Sequence, residues 1–108
     1  DGVRGLRACL PQEGITPNYA YLPVVFEDEF GATRDEAMAA LRREGVFTRK
    51  YFYPLVSDFA CYRGQFDSSA TPVAAHVADR VLTLPMYADL PLEEVDHICK
   101  VVLALPRG

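Results

Sequence analysis

The sequence has no apolar run near the roughly 20 residues that a membrane span requires. Nor does it open on a basic segment followed by an apolar one, so no secretory signal is expected. It lacks a C-x-x-C pair, and its 3 cysteines (Cys9, Cys61, Cys99) are odd in number and widely spaced. A disulfide framework or structural zinc is therefore not expected, and a reducing cytoplasm is the expected compartment. There is no glycine-rich phosphate loop, and Ser68 and Ser69 lack the strand-to-helix elbow of a nucleophilic serine. The 2 histidines, His76 and His97, are far apart, and neither has a second ligand three or four residues on. Both read as helix-surface residues, so neither a triad nor a metal site is expected. Charge is nearly balanced, with 11 basic and 15 acidic residues, a net charge of -4 and no long run of either sign. That disfavours nucleic-acid binding through bulk electrostatics.

What remains is 108 residues, half of them hydrophobic, enough for one domain around one modest core. Leu6, Cys9 and Leu10 fall at i, i+3, i+4, which predicts the last turns of a helix before Pro11. Asn18–Phe26 is β-rich and apolar at both alternating sets of positions. With Pro23 inside it, it reads as an edge strand that a further domain or subunit covers. Glu27 to Gly31 reads as a polar turn. Thr33 with Glu36 forms a T-x-x-E capping box. It starts a helix with Ala37, Met38 and Leu41 buried, Arg34, Asp35, Arg42 and Arg43 wet, and Gly45 as the stop. Val46 to Tyr53 reads as a second strand, giving a βαβ-like unit closed by Pro54.

Leu55 to Thr71 has no period, and loops of that length are uncommon in compact domains unless functional or disordered. Thr71-Pro72 is a helix start, with Val73, Ala74, Val77 and Ala78 as its apolar face. Val81 to Pro85 is a short strand and Met86 to Leu90 a turn. Pro91 opens a last helix whose Val95, Ile98, Cys99 and Val102 form a core stripe. The expected fold is thus α+β in two layers: a small mixed sheet of about three strands with helices packed on it, ordered β-α-β-loop-α-β-α.

The chemistry concentrates in VFTRKYFYPLVSD, Val46 to Asp58. Strand alternation would put Arg49, Tyr51 and Tyr53 on one face and Lys50 on the other. A guanidinium beside two phenols suits an anionic, hydroxyl-rich ligand. The plain alternative is a half-exposed strand with ordinary aromatic packing. Asp58 and Asp89, beside loop aromatics, read as turn or capping residues. A hydrolase built on Asp58 finds no partner carboxylate at a sensible spacing.

NYAYLPVVF, TRDEAMAALRREGVFTRKYFYPLVSDFACYR and VADRVLTLPMYADLPLEEVDHICKVV together resemble the C-terminal part of the DegT/StrS-like pyridoxal-phosphate sugar aminotransferases. The resemblance runs from about Asn18 to Leu105. It implies the small C-terminal α+β domain of a fold-type I enzyme, residues 18–108, with residues 1–17 ending the connection from a missing N-terminal cofactor domain. A start at Asp1 rather than methionine fits that expectation. The resemblance also implies a homodimeric transaminase that moves nitrogen, usually from glutamate, to a keto sugar nucleotide, with Arg49, Tyr51 and Tyr53 on the substrate side. Many members carry histidine where this chain has Val56, which removes one implied polar contact. The lysines, Lys50 and Lys100, do not sit in the family's cofactor-lysine context. No pyridoxal phosphate is therefore expected on this chain alone, and the isolated chain is expected to be inactive. A stand-alone, non-catalytic ligand-binding or regulatory module is the alternative reading.

Overall fold

A computed structural model describes residues 3–18, 20–51, 53–87 and 89–105, with the side chain of Ser68 left aside. Tyr19 and Phe52, each part of an expected strand, and Ala88 of the expected turn lie outside the described residues. Four strands, β1 (Leu6–Ala8), β2 (Leu22–Phe26), β3 (Arg49–Lys50) and β4 (Val81–Leu84), form one sheet in the order β1-β2-β4-β3. Every pairing is antiparallel. Three helices accompany it: α1 (Arg34–Arg43), α2 (Pro72–Ala78) and α3 (Leu92–Leu103).

The sheet is four-stranded and wholly antiparallel rather than mixed with about three strands, because Leu6–Ala8 adds a strand and β4 runs against both its neighbours. Three further expectations about it are corrected. The segment expected to be helical, from Leu6, is β1, paired Leu6↔Phe26 to Ala8↔Val24, because those three residues complete a ladder with a strand distant in sequence. β2 is not an edge but an inner strand between β1 and β4. It accommodates Pro23 where β1 stops: the Pro23 carbonyl accepts from the Cys9 N–H at 3.0 Å, just past the end of β1. An amide at Pro23 would face the same side, where the ladder is already ending. Finally, β2 and β3 are not neighbours. β4 lies between them and runs against both, so the βαβ unit is split by an inserted antiparallel strand and no adjacent pair is parallel.

One face of the sheet meets α1 and α3. Val24, Phe26 and Leu82 pack there with Ala37, Ala40 and Leu41 of α1 and Ile98 and Val102 of α3. Phe30 joins them at 1% exposure, so the expected polar turn is a 3₁₀ turn over Asp28–Phe30 that delivers a core aromatic. Val25 and Val81, cross-strand partners on the other face, are also buried. The apolar character of β2 on both sides therefore reflects two buried faces of an inner strand.

α1 forms as its caps dictate. Thr33 Oγ1 accepts from the Glu36 N–H at 3.1 Å. At the other end Val46 N–H bonds to Leu41 O and Gly45 N–H to Arg42 O, a Schellman closure with Gly45 at φ 78°. Helix faces elsewhere differ from expectation. Val73 and Ala74 of α2 are exposed and Ala78 is buried. On α3 the core residues are Ile98 and Val102, joined by Leu105 just past the helix end, while Val95 and Cys99 are exposed. Between α2 and the sheet end, Glu27 accepts from Arg7 at 3.2 Å and pairs with His76 at 2.6 Å. The His76 hydrogen bond, outweighing burial with help from Arg7, holds the Glu27 carboxyl below its usual value.

Thr48, just before β3, is 9% exposed, and its Oγ1 has no hydrogen-bond partner among the described residues. It lines a 60 Å³ cavity with Met38, Arg42, Val46 and Phe47. Thr48→Val keeps the branched shape and removes the dry hydroxyl. It is expected to raise stability by about 1 kcal/mol. A higher urea midpoint at unchanged slope is the expected reading; a lower midpoint would show that the hydroxyl is bonded in solution.

Candidate functional site

The basic-aromatic segment forms the sheet's edge. β3 pairs with β4 as Arg49↔Thr83 and Lys50↔Leu82, and Thr83 Oγ1 donates to the Arg49 carbonyl at 3.0 Å. Opposed residues in an antiparallel pair share a face. Lys50 therefore stands on the helix-covered side with Leu82, and exposed Arg49 on the other side with Thr83.

The expected strand ends there. Tyr51 is already in a turn, and a cis peptide joins Tyr53 to Pro54. Period-two alternation therefore does not reach Tyr53, and the expected common face of Arg49, Tyr51 and Tyr53 is not formed. The Tyr53 ring, 45% exposed, lies with Lys50 Nζ and Arg34 Cζ each 4.9 Å from its centroid. Half-buried Tyr51 makes an edge contact with Tyr21, centroids 5.3 Å apart. Arg49 remains open on the opposite face.

Two residues that residue-type reasoning set aside complete this corner. Arg34, expected on the wet side of α1, is 3% exposed. Its Nη1 donates to the Ala78 carbonyl at 2.9 Å and the Val81 carbonyl at 3.0 Å, tying the start of α1 to the end of α2 and the start of β4. Helix-end carbonyls lack intrahelical donors, so a guanidinium there satisfies a group that burial would otherwise leave dry. The signal was present in the sequence. Arg34 lies three and seven residues before Ala37 and Leu41, on the buried stripe itself.

Asp35 is the second. Its Oδ1 receives Arg34 Nε at 2.7 Å and lies 3.4 Å from Lys50 Nζ. Desolvation, the largest single influence, pushes the Asp35 carboxyl up. The Arg34 hydrogen bond, with the charges of Arg34 and Lys50, outweighs it and leaves the carboxyl below its ordinary value.

Beyond Pro54 the chain makes short 3₁₀ turns at Val56–Asp58 and Ala60–Tyr62. Asp58 is exposed there. Val56, Tyr62 and Phe66 line an open groove of about 550 Å³, with Tyr62 and Phe66 edge to face at 5.8 Å. No group of three or more His, Cys, Asp or Glu among the described residues could hold a metal ion. No helix among them is long and apolar enough to cross a membrane.

Residues 5–103 match the DegT/DnrJ/EryC1/StrS aminotransferase family. The chain belongs to this family. A dTDP-4-amino-4,6-dideoxy-D-glucose transaminase of Escherichia coli is 44% identical over 88 residues, 80% of this chain and 24% of that protein. A protein of the same name from Shigella dysenteriae is 30% identical over 100 residues, 93% of this chain and 27% of that one. A UDP-N-acetyl-3-dehydro-alpha-D-glucosamine 3-aminotransferase of Acidithiobacillus ferrooxidans is 35% identical over 75 residues, 69% of this chain and 20% of its own. The aminotransferase TlmJ of Streptoalloteichus hindustanus superposes with a TM-score of 0.78 at 26% identity, over 95% of this chain and 26% of TlmJ. The chain thus spans about a quarter of the length of the first two relatives.

Pyridoxal phosphate is the cofactor associated with this aminotransferase family. It needs a free lysine and a cradle of phosphate donors. The Lys50 ammonium is committed to Asp35 and the Tyr53 ring, and Lys100 is exposed on α3.

Proposed function

We propose that this chain is the small C-terminal domain of a pyridoxal-phosphate aminotransferase that exchanges an amino group between glutamate and a nucleotide-linked keto sugar. The observation that carries this reading is 44% identity, across 80% of the chain, to a dTDP-4-amino-4,6-dideoxy-D-glucose transaminase. In this reading residues 18–108 are the domain and residues 1–17 its approach, with Leu6–Ala8 adding a strand to its sheet. The remainder of the polypeptide would supply the cofactor lysine and phosphate site. The protein works as a homodimer in the cytoplasm, without nucleic-acid or membrane partners.

The substrate-side residues are Arg49, Tyr51 and Tyr53. Exposed Arg49 can take a nucleotide phosphate through a charge-assisted fork. Tyr51 and Tyr53 offer ring faces and phenol hydroxyls to the base or sugar. Because Arg49 and Tyr53 stand on different faces of the sheet edge, the ligand would have to lie across that edge and past the end of β3.

The test uses the full-length product of the gene with pyridoxal phosphate, dTDP-4-amino-4,6-dideoxy-D-glucose and 2-oxoglutarate, measuring glutamate. Turnover is expected. Arg49→Ala is expected to cut kcat/KM ~10- to 100-fold, as loss of one charged hydrogen-bond partner implies, with Tm unchanged. A native product no longer than this chain that binds the sugar nucleotide without transaminating would replace this reading with the stand-alone binding module.

A further inference from the structure

Tyr53 sits beyond the end of β3, so no strand ladder fixes it, and no hydrogen bond reaches its hydroxyl among the described residues. Among the described residues, two cations lie against the ring, Arg34 and Lys50, each at 4.9 Å. These cations are not equivalent. Arg34 is buried and held by two carbonyls of α2 and β4, so it is a fixed plate. Lys50 is a flexible side chain, 35% exposed, whose ammonium would otherwise sample many positions. One carboxylate oxygen, Asp35 Oδ1, contacts both. Asp35 sits in the first turn of a capped helix, so its own backbone is rigid.

We propose that Asp35 is a positioning residue for Tyr53: by holding the Lys50 ammonium against the ring, alongside the fixed Arg34 guanidinium, it fixes the ring's angle and leaves the phenol hydroxyl directed at ligand. This rests on the reading above, in which Tyr53 meets the nucleotide sugar. Cation–ring attraction favours the ring only where the cation is held. A site supported from a rigid helix start holds its geometry better than one left to its own loop. Asp35 thus touches no ligand and acts through Lys50.

The test is a double-mutant cycle on the full-length protein, with the dissociation constant of dTDP-4-amino-4,6-dideoxy-D-glucose measured by calorimetry well below Tm. Asp35→Ala is expected to weaken binding ~5-fold, since one loosened cation, the Lys50 ammonium, is worth about that factor at an exposed ring. In a Tyr53→Ala background the same change is expected to do nothing further, because its effect passes through the ring. A general structural effect would instead appear equally in both backgrounds, and that result overturns the proposal. So does Tyr53→Ala weakening binding while Asp35→Ala leaves it unchanged, an outcome that leaves the substrate-side assignment of Tyr53 standing. Tyr53→Ala without effect overturns both. If Asp35→Ala does not fold, Lys50→Met, which keeps the stem and removes the ammonium, takes its place in the same cycle with the same expectations.

Discussion

Arg34→Ala is expected to lower the unfolding free energy by about 2–5 kcal/mol, because two buried backbone acceptors lose their charged donor. The side chain is 3% exposed and its Nη1 bridges two backbone acceptors, at 2.9 and 3.0 Å. Alanine removes this donor from both carbonyls, and each acceptor left dry costs about 1–3 kcal/mol. A loss of that size approaches the whole stability of an ordinary domain, about 5–15 kcal/mol. Arg34→Lys is expected to recover only part, because an ammonium lacks the planar fork that spans two acceptors. Urea unfolding of the three proteins decides it. An alanine variant within 1 kcal/mol of the parent, roughly the worth of one ordinary hydrogen bond, would mean that water replaces the guanidinium.

Gly5→Ala should rival it, at about 2–5 kcal/mol, from backbone strain plus overpacking. Gly5 has φ +77°, and an added Cβ would lie 2.2 Å from the Phe30 amide nitrogen and 2.7 Å from the Glu29 carbonyl carbon. Those are backbone atoms, so no rotamer change relieves the clash. The Gly5 carbonyl also accepts from Glu27 N–H at 2.8 Å, which holds the two segments together. Gly45 is the control: its φ is +78°, but nothing stands within 4 Å of an added Cβ. Gly45→Ala should therefore cost only the left-handed conformation, about 1–2 kcal/mol. Thermal melts of both variants separate the two contributions, and equal losses would refute the close-approach account.

The sequence revealed elements whose signals are local. The Thr33–Glu36 box, the Gly45 stop, Pro91 before α3 and the Val81–Leu84 run all lie where expected. It concealed elements whose reason is distant. Leu6–Ala8 is too short for a period of its own and becomes a strand only because Val24–Phe26 pairs with it. The residue types of the candidate site were legible in Arg49, Tyr51 and Tyr53, but their relation was not. Nothing in the residue types marks the turn at Tyr51, where strand alternation stops. The charge of Arg34 points to solvent while its position, on the stripe of Ala37 and Leu41, points to the core, and position decides.

The sheet order has a consequence for how the domain comes into being during synthesis. Of the four strands of this sheet, β4 is the last to leave the ribosome, yet it occupies an inner position between β2 and β3. Until Val81–Leu84 emerges, β3 has no partner and β2 has only the three-residue β1. The apolar side of α1 then has only part of the sheet to cover. Most of the nascent domain must therefore wait unassembled, and sheet closure becomes a late, collective event rather than a strand-by-strand addition.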